Sequence, residues 1–369
     1  MTIALDATEA AYPAPTGTGV YSQKLIQALA ACRPPGIPAD FRFALCVRIG
    51  PYWRWGRTKA WPAGCSVFPV WEPWLRPRSA ELFHGLNQRL PRRSYPVSVV
   101  TVHDLFPLTS TEYSTASFQE RFTEILQDAV ARADRIIAVS NATREELLRH
   151  TRASEKNVRV IHHGVDPIPS ASREEQRVFR NEVLRLDEGE RFFLNVGAIQ
   201  VRKNIANIVL AAAKLPDHRL VLAGGDGYGA EAIHALIEKE GMSDRVIRLG
   251  HASPETLRLL YSTATALVFP SLEEGFGMPV LEAMSCGLPV ITSNCSAMPE
   301  VAGDAAALVD PRNVADISEA MRRVGEDEVF ATELARRGRE RAASFSWEKC
   351  ARETWRVYQE TMGGADERT

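Results

Sequence analysis

Two glutamates, Glu274 and Glu282, frame a glycine-containing stretch of the chain, with seven residues between them. An ionised carboxylate accepts hydrogen bonds from hydroxyl groups, such as those of a sugar or a ribose. Gly275 and Gly277 allow the intervening backbone to adopt conformations that other residues avoid. The stretch therefore has the chemistry to bind a ligand that carries both hydroxyls and phosphate.

The sequence around this stretch predicts a strand, a loop and a helix. The apolar run 266–269 has the length of a buried strand, and a proline follows it. Pro279 favours a helix that begins near Met278, and Gly287 ends the helix after Cys286. Because the free amides at the start of a helix bind anions, we expect a diphosphate there.

The spacing of the two glutamates resembles the Glu-x7-Glu motif of retaining glycosyltransferases of the GT4 family, which have the two-domain GT-B fold. This resemblance implies that Glu274 contacts the donor sugar and that Glu282 binds the ribose hydroxyls. Gly277 and Met278, at the start of the predicted helix, are the candidates to bind the donor's diphosphate through their amides. The alternative is an acidic loop followed by an ordinary helix.

Arg202 and Lys203 follow the predicted strand 192–196, beyond its carboxyl end. When a glycosyl bond breaks, negative charge builds on the leaving diphosphate, and fixed cations in a partly dry cleft stabilise that transition state. The GT4 family has an arginine and a lysine here, so the resemblance implies this catalytic role for both. The alternative is a solvated start of a helix.

Two further motifs lie in the first half of the chain. Gly17 and Gly19 are predicted to form a loop between a strand at 2–6 and a helix from about Val20, and the resemblance places this loop over the donor phosphates and the acceptor. His103 follows the predicted buried strand 98–102, and the resemblance implies that it faces the transferred sugar. The alternative for Gly17 and Gly19 is a plain turn between strand and helix. The alternative for His103 is a structural histidine at the end of a strand.

The segment 41–96 is strongly basic and rich in tryptophan. It has ten basic residues against two acids, a net charge of +8, whereas the whole chain has a formal net charge of -2. Such a mixture can bind an anionic membrane surface, a lipid-linked diphosphate or a saccharide, or it can be a solvated face whose aromatic residues are core. The overall charge gives no case for a nucleic-acid partner. The basic residues and tryptophans are Arg42, Arg48, Trp53, Arg54, Trp55, Arg57, Lys59, Trp61, Trp71, Trp74, Arg76, Arg78, Arg89, Arg92 and Arg93.

Composition indicates a globular protein of two domains. The 369 residues exceed one typical core, and the hydrophobic and charged fractions, 45% and 24%, are ordinary. The six cysteines lack metal-ligand spacing, which indicates reduced thiols and a cytoplasmic location. Because no apolar run is long enough to span a membrane and no signal peptide is evident, we expect any membrane contact to be peripheral, at the inner face.

The alternation of strands and helices predicts an α/β fold, and the resemblance makes it GT-B, with two Rossmann-like, doubly wound domains facing a cleft. The first domain is predicted at 1–166, a linker at 167–175 and the nucleotide-sugar domain at 176–345. Residues 346–369 are predicted to form a helix that returns to the first domain, and a tail.

The resemblance implies a glycosyltransferase that moves a hexose from a nucleotide sugar to a saccharide or polyprenyl-linked acceptor, with retention of anomeric configuration. The sequence looks most like bacterial mannosyltransferases of surface polysaccharide assembly, which favours GDP-mannose as donor. No cofactor or metal is expected, because Arg202 and Lys203 take the place of a metal. A glycoside hydrolase, a GT-B nucleotide-sugar epimerase and a noncatalytic binding subunit are the alternatives.

Overall fold

The structure is a computed structural model that describes residues 1–35, 37–38, 40–72, 75, 77, 79–187 and 189–366. The chain forms two compact units. The first contains Met1–Thr111, Thr115–Gly164 and Phe345–Thr369, and the second contains Glu112–Ser114 and Val165–Ser344. The chain passes from the first unit to the second between Gly164 and Val165, so the segment predicted as a linker, 167–175, lies in the second unit.

The described part of the first unit holds a parallel sheet of seven strands in the order β3-β2-β1-β4-β5-β6-β7. The strand order reverses between β1 and β4, which makes their carboxyl ends the place where open α/β sheets bind ligands. The strands are β1 (Thr2–Asp6), β2 (Arg42–Arg48), β3 (Cys65–Val70), β4 (Leu82–Gly85), β5 (Val97–Val102), β6 (Arg135–Ala138) and β7 (Val158–Val160).

Helices of the first unit connect these strands and cover the sheet, since parallel strands require crossover connections. Two short turns, Glu9–Ala11 and Tyr52–Gly56, add to them. The helices are α1 (Gly17–Ala31), α2 (Ile49–Pro51), α3 (Phe106–Thr109), α4 (Ala116–Arg132) and α5 (Asn141–His150).

The prediction that Gly17 and Gly19 lie in a loop before α1 is wrong. Gly17 is the first residue of α1 and Gly19 the third, so both lie in the first helical turn. A Cβ on Gly19 would lie 2.6 Å from Pro15 Cβ and 2.8 Å from the carbonyl oxygen of Glu9, whereas one on Gly17 would meet nothing within 4 Å. Gly19 therefore allows the preceding segment to pack against the helix.

The described part of the second unit holds a parallel sheet of six strands in the order β10-β9-β8-β11-β12-β13. Here the order reverses between β8 and β11. The strands are β8 (Arg191–Val196), β9 (His218–Ala223), β10 (Val246–Gly250), β11 (Ala266–Phe269), β12 (Val290–Ser293) and β13 (Ala307–Val309). The helices are α6 (Arg173–Val178), α7 (Ile205–Ala213), α8 (Ala230–Lys239), α9 (Pro254–Thr263), α10 (Met278–Cys286), α11 (Met298–Ala302), α12 (Val314–Glu326) and α13 (Glu328–Ala343), with short turns at Phe179–Leu184 and Val201–Lys203.

The last helix, α14 (Trp347–Asp366), belongs to the first unit, which confirms that the C-terminal helix returns there. Trp355 is almost fully buried; its ring packs 5.3 Å from that of Phe41 and 5.6 Å from that of Phe43. Its indole N–H donates to the carbonyl oxygen of Leu29 at the end of α1. Among the described residues, no helix is long and apolar enough to cross a membrane.

Candidate active site

The second unit places two cations where its strand order reverses. After β8 the chain makes the turn Val201–Lys203, which ends at Asn204 with a left-handed φ of 60°. Asparagine tolerates this conformation better than most residues. The buried Asn204 amide donates to the carbonyl oxygens of Pro270 at 3.0 Å and Pro311 at 2.6 Å. These bonds fix the turn that carries Arg202 and Lys203 beside the segment that follows β11.

Both cations contact one carboxylate, Glu274. Arg202 Nη1 lies 3.1 Å from Glu274 Oε2, and Lys203 Nζ forms an ion pair with Glu274 Oε1. The exposed fractions of the three side chains are only 9%, 12% and 9% for Arg202, Lys203 and Glu274. Burial alone would raise the pKa of Glu274, but the charges and hydrogen bonds of Arg202 and Lys203 lower it to about 2. The cluster is therefore ionised at neutral pH and has a net positive charge.

Other contacts hold the cluster in place. Arg202 also donates to the carbonyl oxygen of Glu273, and Lys203 Nζ lies 4.6 Å from the ring centre of Phe269. The backbone of Glu274 is held by Ser296, whose hydroxyl accepts from the Glu274 amide at 3.0 Å and donates to the Glu274 carbonyl oxygen at 2.7 Å. Ser296 has a positive φ of 56°, a conformation that is rare for serine and signals a constrained loop.

The helix predicted after the glycines is confirmed: α10 begins at Met278 and ends at Cys286. Gly277 precedes it with a φ of 97°, and a Cβ there would lie 2.4 Å from Met298 Cε. Within the described chain, the amides of Gly277 and Met278 donate to no other residue. They are the unsatisfied donors of a helix start, which favour an anionic ligand.

Glu282 lies within α10 and is half-buried. Its Oε2 accepts a hydrogen bond of 2.8 Å from the hydroxyl of Tyr261 on α9. Burial raises the pKa of Glu282, and the Tyr261 hydrogen bond partly offsets this effect. The two glutamates of the motif therefore have opposite electrostatic environments.

Comparisons with known proteins show the family of the chain. The family model for glycosyl transferases group 1 matches residues 177–344, and that for glycosyltransferase family 4 matches residues 24–168. O-antigen chain mannosyltransferase B of Escherichia coli is 32% identical over 301 residues, which cover 79% of this chain and 78% of that protein. The chain belongs to glycosyltransferase family 4. It is therefore a glycosyltransferase, as the motif predicted.

Further similarities support the assignment of the transferase to this family and fold. The serotype-specific mannosyltransferase WbdA of Escherichia coli is 33% identical over 275 residues, 71% of this chain but 33% of that longer protein. Sucrose-phosphate synthase from Thermosynechococcus elongatus superposes with a TM-score of 0.78 at 23% identity, covering 99% of this chain and 100% of that chain. Anabaena HepE, solved in complex with UDP and glucose, gives a TM-score of 0.73 at 17% identity, covering 97% and 99%. The predicted GT-B fold is confirmed.

The first unit of the transferase buries His103 at the end of β5. Its Nε2 donates to the carbonyl oxygen of Leu86 at 2.9 Å, and its ring packs edge-on to that of Tyr21 with 4.7 Å between centres. Burial lowers the pKa of His103 to about 4, although the Leu86 carbonyl opposes the shift. His103 is therefore neutral at pH 7, and any contact with a sugar would use a neutral imidazole.

A chain of buried hydrogen bonds lies behind His103. Tyr358 of α14 bonds His84 Nδ1 at 2.6 Å, His84 Nε2 bonds the Thr101 hydroxyl at 2.8 Å, and Thr101 bonds the hydroxyl of Tyr21 at 3.0 Å. All four side chains are nearly inaccessible to solvent. This series of hydrogen bonds connects α14 to Tyr21, whose ring contacts His103.

The structure brings the predicted residues together in two groups. Arg202, Lys203, Glu274, Gly277, Met278 and Glu282 lie in the second unit, while Gly17, Gly19 and His103 lie in the first. Their predicted roles toward donor and acceptor stay predictions. Within the described ranges, no group of three or more histidine, cysteine, aspartate or glutamate side chains could hold a metal ion.

The basic, tryptophan-rich segment is only partly described, because Trp74, Arg76 and Arg78 lie outside the described residues. Trp53 and Trp71 are both 58% exposed, so these two aromatic rings are not core residues. The guanidinium of Arg57 lies 5.2 Å from the ring centre of Trp53. Cations and aromatic rings therefore share an exposed surface here.

Proposed function

We propose that this glycosyltransferase moves a mannosyl residue from GDP-mannose to a saccharide or polyprenyl-linked acceptor, with retention of configuration and without a metal ion. The pairing of Arg202 and Lys203 with Glu274 beside the start of α10 is the observation that carries the proposal. The names of two similar proteins, both mannosyltransferases, support the sugar and a role in polysaccharide assembly.

The chemistry follows from where negative charge develops. As the bond between the sugar and the diphosphate breaks, charge grows on the diphosphate, and the two cations and the amides of Gly277 and Met278 stabilise it. Because these charges are fixed before the reaction, they need no reorganisation during it. Departure and attack on one face of the sugar give retention, and the leaving phosphate helps to deprotonate the acceptor hydroxyl.

Glu274 is poorly suited to the alternative role of a hydrolase acid. A general acid needs a pKa near the working pH, whereas that of Glu274 is held at about 2 by its two cationic partners. Burial raises the pKa of Glu282, which by itself agrees with an acid. A hydrolase, however, gives Arg202, Lys203 and the free amides at the start of α10 no role, whereas a leaving diphosphate uses all of them.

The first experiment is a calorimetric panel of GDP-, UDP- and ADP-sugars, in EDTA and in magnesium. We expect GDP-mannose to bind in EDTA as well as in magnesium. Product analysis by NMR with a mannosyl acceptor should then give an α-linked product from the α-linked donor. Binding only with magnesium, an inverted product, or an epimerised nucleotide sugar would each contradict the corresponding part of the proposal, and no binding to any donor would overturn all of it.

We also propose that the enzyme binds peripherally to an anionic membrane from the cytoplasmic side, through a tryptophan surface defined by Trp53, Arg54 and Arg57. Exposure of Trp53 and the net positive charge of its segment support this contact. Binding to phosphatidylglycerol vesicles should exceed binding to phosphatidylcholine and weaken with salt. Arg57→Gln should lose about 1 kcal/mol, or about fivefold in affinity. No binding at low salt would exclude the proposed contact.

A further inference from the structure

The orientation of the His103 imidazole is set from two sides. Its Nε2 donates to the carbonyl oxygen of Leu86 at 2.9 Å, so the ring proton lies on Nε2 and Nδ1 is left as an acceptor. One hydrogen bond alone would leave the imidazole free to pivot about it. The ring of Tyr21 on α1 restricts this pivoting, because it packs edge-on to the imidazole with 4.7 Å between centres. The position of the Tyr21 ring therefore decides where Nδ1 of His103 points.

The Tyr21 ring is in turn held by its hydroxyl. The ring also lies 4.6 Å from that of His163, and only 2% of the side chain is exposed. Within the described chain, the hydroxyl makes one hydrogen bond, of 3.0 Å to the hydroxyl of Thr101. Thr101 lies two residues before His103, so the two side chains leave β5 on the same face. The bond to Thr101 therefore fixes the Tyr21 ring relative to His103.

The series of hydrogen bonds continues from Thr101 to α14 through His84. His84 Nε2 lies 2.8 Å from the Thr101 hydroxyl, and His84 Nδ1 lies 2.6 Å from the hydroxyl of Tyr358. Burial lowers the pKa of His84 to about 3, so its imidazole is neutral and donates through one nitrogen while it accepts through the other. Its two hydrogen bonds are therefore coupled: loss of the Tyr358 hydroxyl leaves Nδ1 without its partner and changes the bond to Thr101.

Burial makes the series sensitive to the loss of any one member. His84, Thr101 and Tyr358 have no exposed surface. Because water cannot replace a lost partner there, the remaining polar groups must shift to find new ones. A change at Tyr358 should therefore reach the Tyr21 ring, and through it His103.

The series is not the sole attachment of α14 to the first unit. Trp355 packs on the rings of Phe41 and Phe43, and its indole N–H donates to the carbonyl oxygen of Leu29. The Tyr358 hydroxyl can therefore be removed while the helix stays docked. This separates an effect on the orientation of His103 from a loss of the helix.

We propose that Tyr21, Thr101, His84 and Tyr358 are positioning residues for His103, so that turnover depends on a hydroxyl group of the C-terminal helix. The inference deepens the proposed function and rests on it, because it requires His103 to act in sugar transfer. None of the four residues needs to contact the substrate.

The first test compares substitutions that remove or restore single hydroxyls. Tyr358→Phe and Thr101→Val should each lower kcat by about tenfold with less than about a twofold change in donor KM. Thr101→Ser restores the hydroxyl and should keep at least about half of the parent turnover. Thr354→Val is the matched control: this equally buried threonine of α14 bonds the Cys350 carbonyl oxygen of its own helix at 2.8 Å. It should keep the parent kcat, and denaturant titration shows whether its stability matches that of Thr101→Val.

The second test reads His103 directly, without substrate. In the ¹⁵N NMR spectrum of the histidine rings, His103 of the parent chain should show a protonated Nε2 and an unprotonated Nδ1. Thr101→Val and Tyr358→Phe should shift both resonances toward a mixture of tautomers, while Thr354→Val should match the parent chain. His103→Gln identifies the resonances.

Three outcomes would overturn the inference. These are parent-like kcat and ring resonances in Thr101→Val, no recovery in Thr101→Ser, or an equal loss of kcat in Thr354→Val, which would make the series a purely structural attachment of α14. If the parent chain transfers no sugar from any donor, the proposed function fails and with it the dependence of turnover; the NMR comparison then decides separately whether the series orients His103.

Discussion

Glu274 holds two cations in position before any ligand arrives. Without it, Arg202 and Lys203 would be two like charges with little access to solvent. Removing one partner of a buried ion pair leaves an uncompensated charge, which costs far more than the pair contributes. The Glu274 carboxylate therefore stabilises the folded protein, in addition to its predicted contact with the donor sugar.

We predict that Glu274→Ala lowers both turnover and stability. The expected loss of turnover is about tenfold or more, and the expected loss in the free energy of unfolding is about 3 to 5 kcal/mol. Steady-state kinetics and denaturant titration of the same preparation measure the two effects. Glu238→Ala, which removes an exposed carboxylate of α8 in the same unit, is the control. Wild-type stability of Glu274→Ala would contradict the buried cluster.

Tyr261→Phe tests Glu282 separately. The tyrosine hydroxyl lowers the pKa of Glu282 against the effect of burial, so its removal should raise that pKa further. If ionised Glu282 binds the ribose, the donor KM should rise about fivefold, from a lost hydrogen bond of about 1 kcal/mol. The rise should be larger at about pH 5.5 than at about pH 8. Tyr228→Phe, at an exposed position, is the control; an equal rise at both pH values would contradict the ionised role.

The sequence predicted the charged residues of the site but not the residues that hold them. Arg202, Lys203 and Glu274 were predicted because their side-chain types and spacing matched a known chemistry. Ser296 and Tyr261 reach the site only through the fold, from segments whose local sequence carries no functional signal. Asn204 offered one signal, because asparagine often takes a left-handed backbone, but its two carbonyl partners could not be inferred.

At the scale of elements, α10 and α1 show why one helix start was predicted and the other was not. Gly277 precedes α10 and Pro279 lies in its first turn, positions that these residue types prefer. The predicted start of the helix therefore agrees with the structure. Glycine disfavours helix interiors by about 1 kcal/mol relative to alanine, so Gly17 and Gly19 predicted a loop. The close approach of Pro15 and Glu9 to Gly19 requires a residue without a side chain inside the helix. Tertiary packing overrides the local preference there.

The two glycines of α1 should respond differently to alanine. Gly19→Ala should lose about 1 to 3 kcal/mol in the free energy of unfolding, because its Cβ would overlap Pro15 and the Glu9 carbonyl. Gly17→Ala has open space and a helical backbone, so its stability should equal or slightly exceed that of the parent chain. Thermal unfolding compares the pair directly.

The same pair tests the predicted contact of Gly17 with substrate. If the helix start approaches a phosphate or an acceptor closely, Gly17→Ala should lower turnover by about tenfold with no loss of stability. Full activity of Gly17→Ala would remove Gly17 from the binding site. Activity of Gly19→Ala is not informative by itself, since its expected loss of stability lowers the amount of folded enzyme.

At the scale of the whole molecule, the first unit buries three neutral histidines, and two of them, His84 and His163, contact α14. Burial lowers the pKa of His84 to about 3 and that of His103 to about 4, and it holds the pKa of His163 well below its ordinary value. The ring of His163 stacks on that of Trp347 at the start of α14, with 6.0 Å between centres. The docking of this helix therefore depends on histidines that carry no charge.

This arrangement predicts a loss of stability in mild acid. An unfolded histidine binds a proton below about pH 6.5, whereas folded His84 and His103 stay neutral down to about pH 4 and the pKa of folded His163 lies well below its ordinary value. Unfolding therefore takes up protons in mild acid. The free energy of unfolding is therefore greatest above about pH 6.5. As the pH is lowered below this value, it decreases by up to about 1.4 kcal/mol per pH unit for each histidine. Glu274 does not contribute in this window: its lowered pKa gives stability that is present above about pH 4.5 and is lost only below it.

Tryptophan fluorescence can follow this effect in the first unit alone, since all seven tryptophans fall within that unit's sequence ranges. Urea unfolding followed by fluorescence should therefore show a lower midpoint at about pH 5 than at about pH 7.5. His163→Phe keeps an aromatic ring beside Trp347 but cannot bind a proton, so it should reduce the pH dependence by about one histidine's share. His251→Gln changes an exposed histidine of the second unit and should leave that dependence unchanged. Equal pH dependence in all three proteins would mean that protonation of His163 is not coupled to unfolding of this unit.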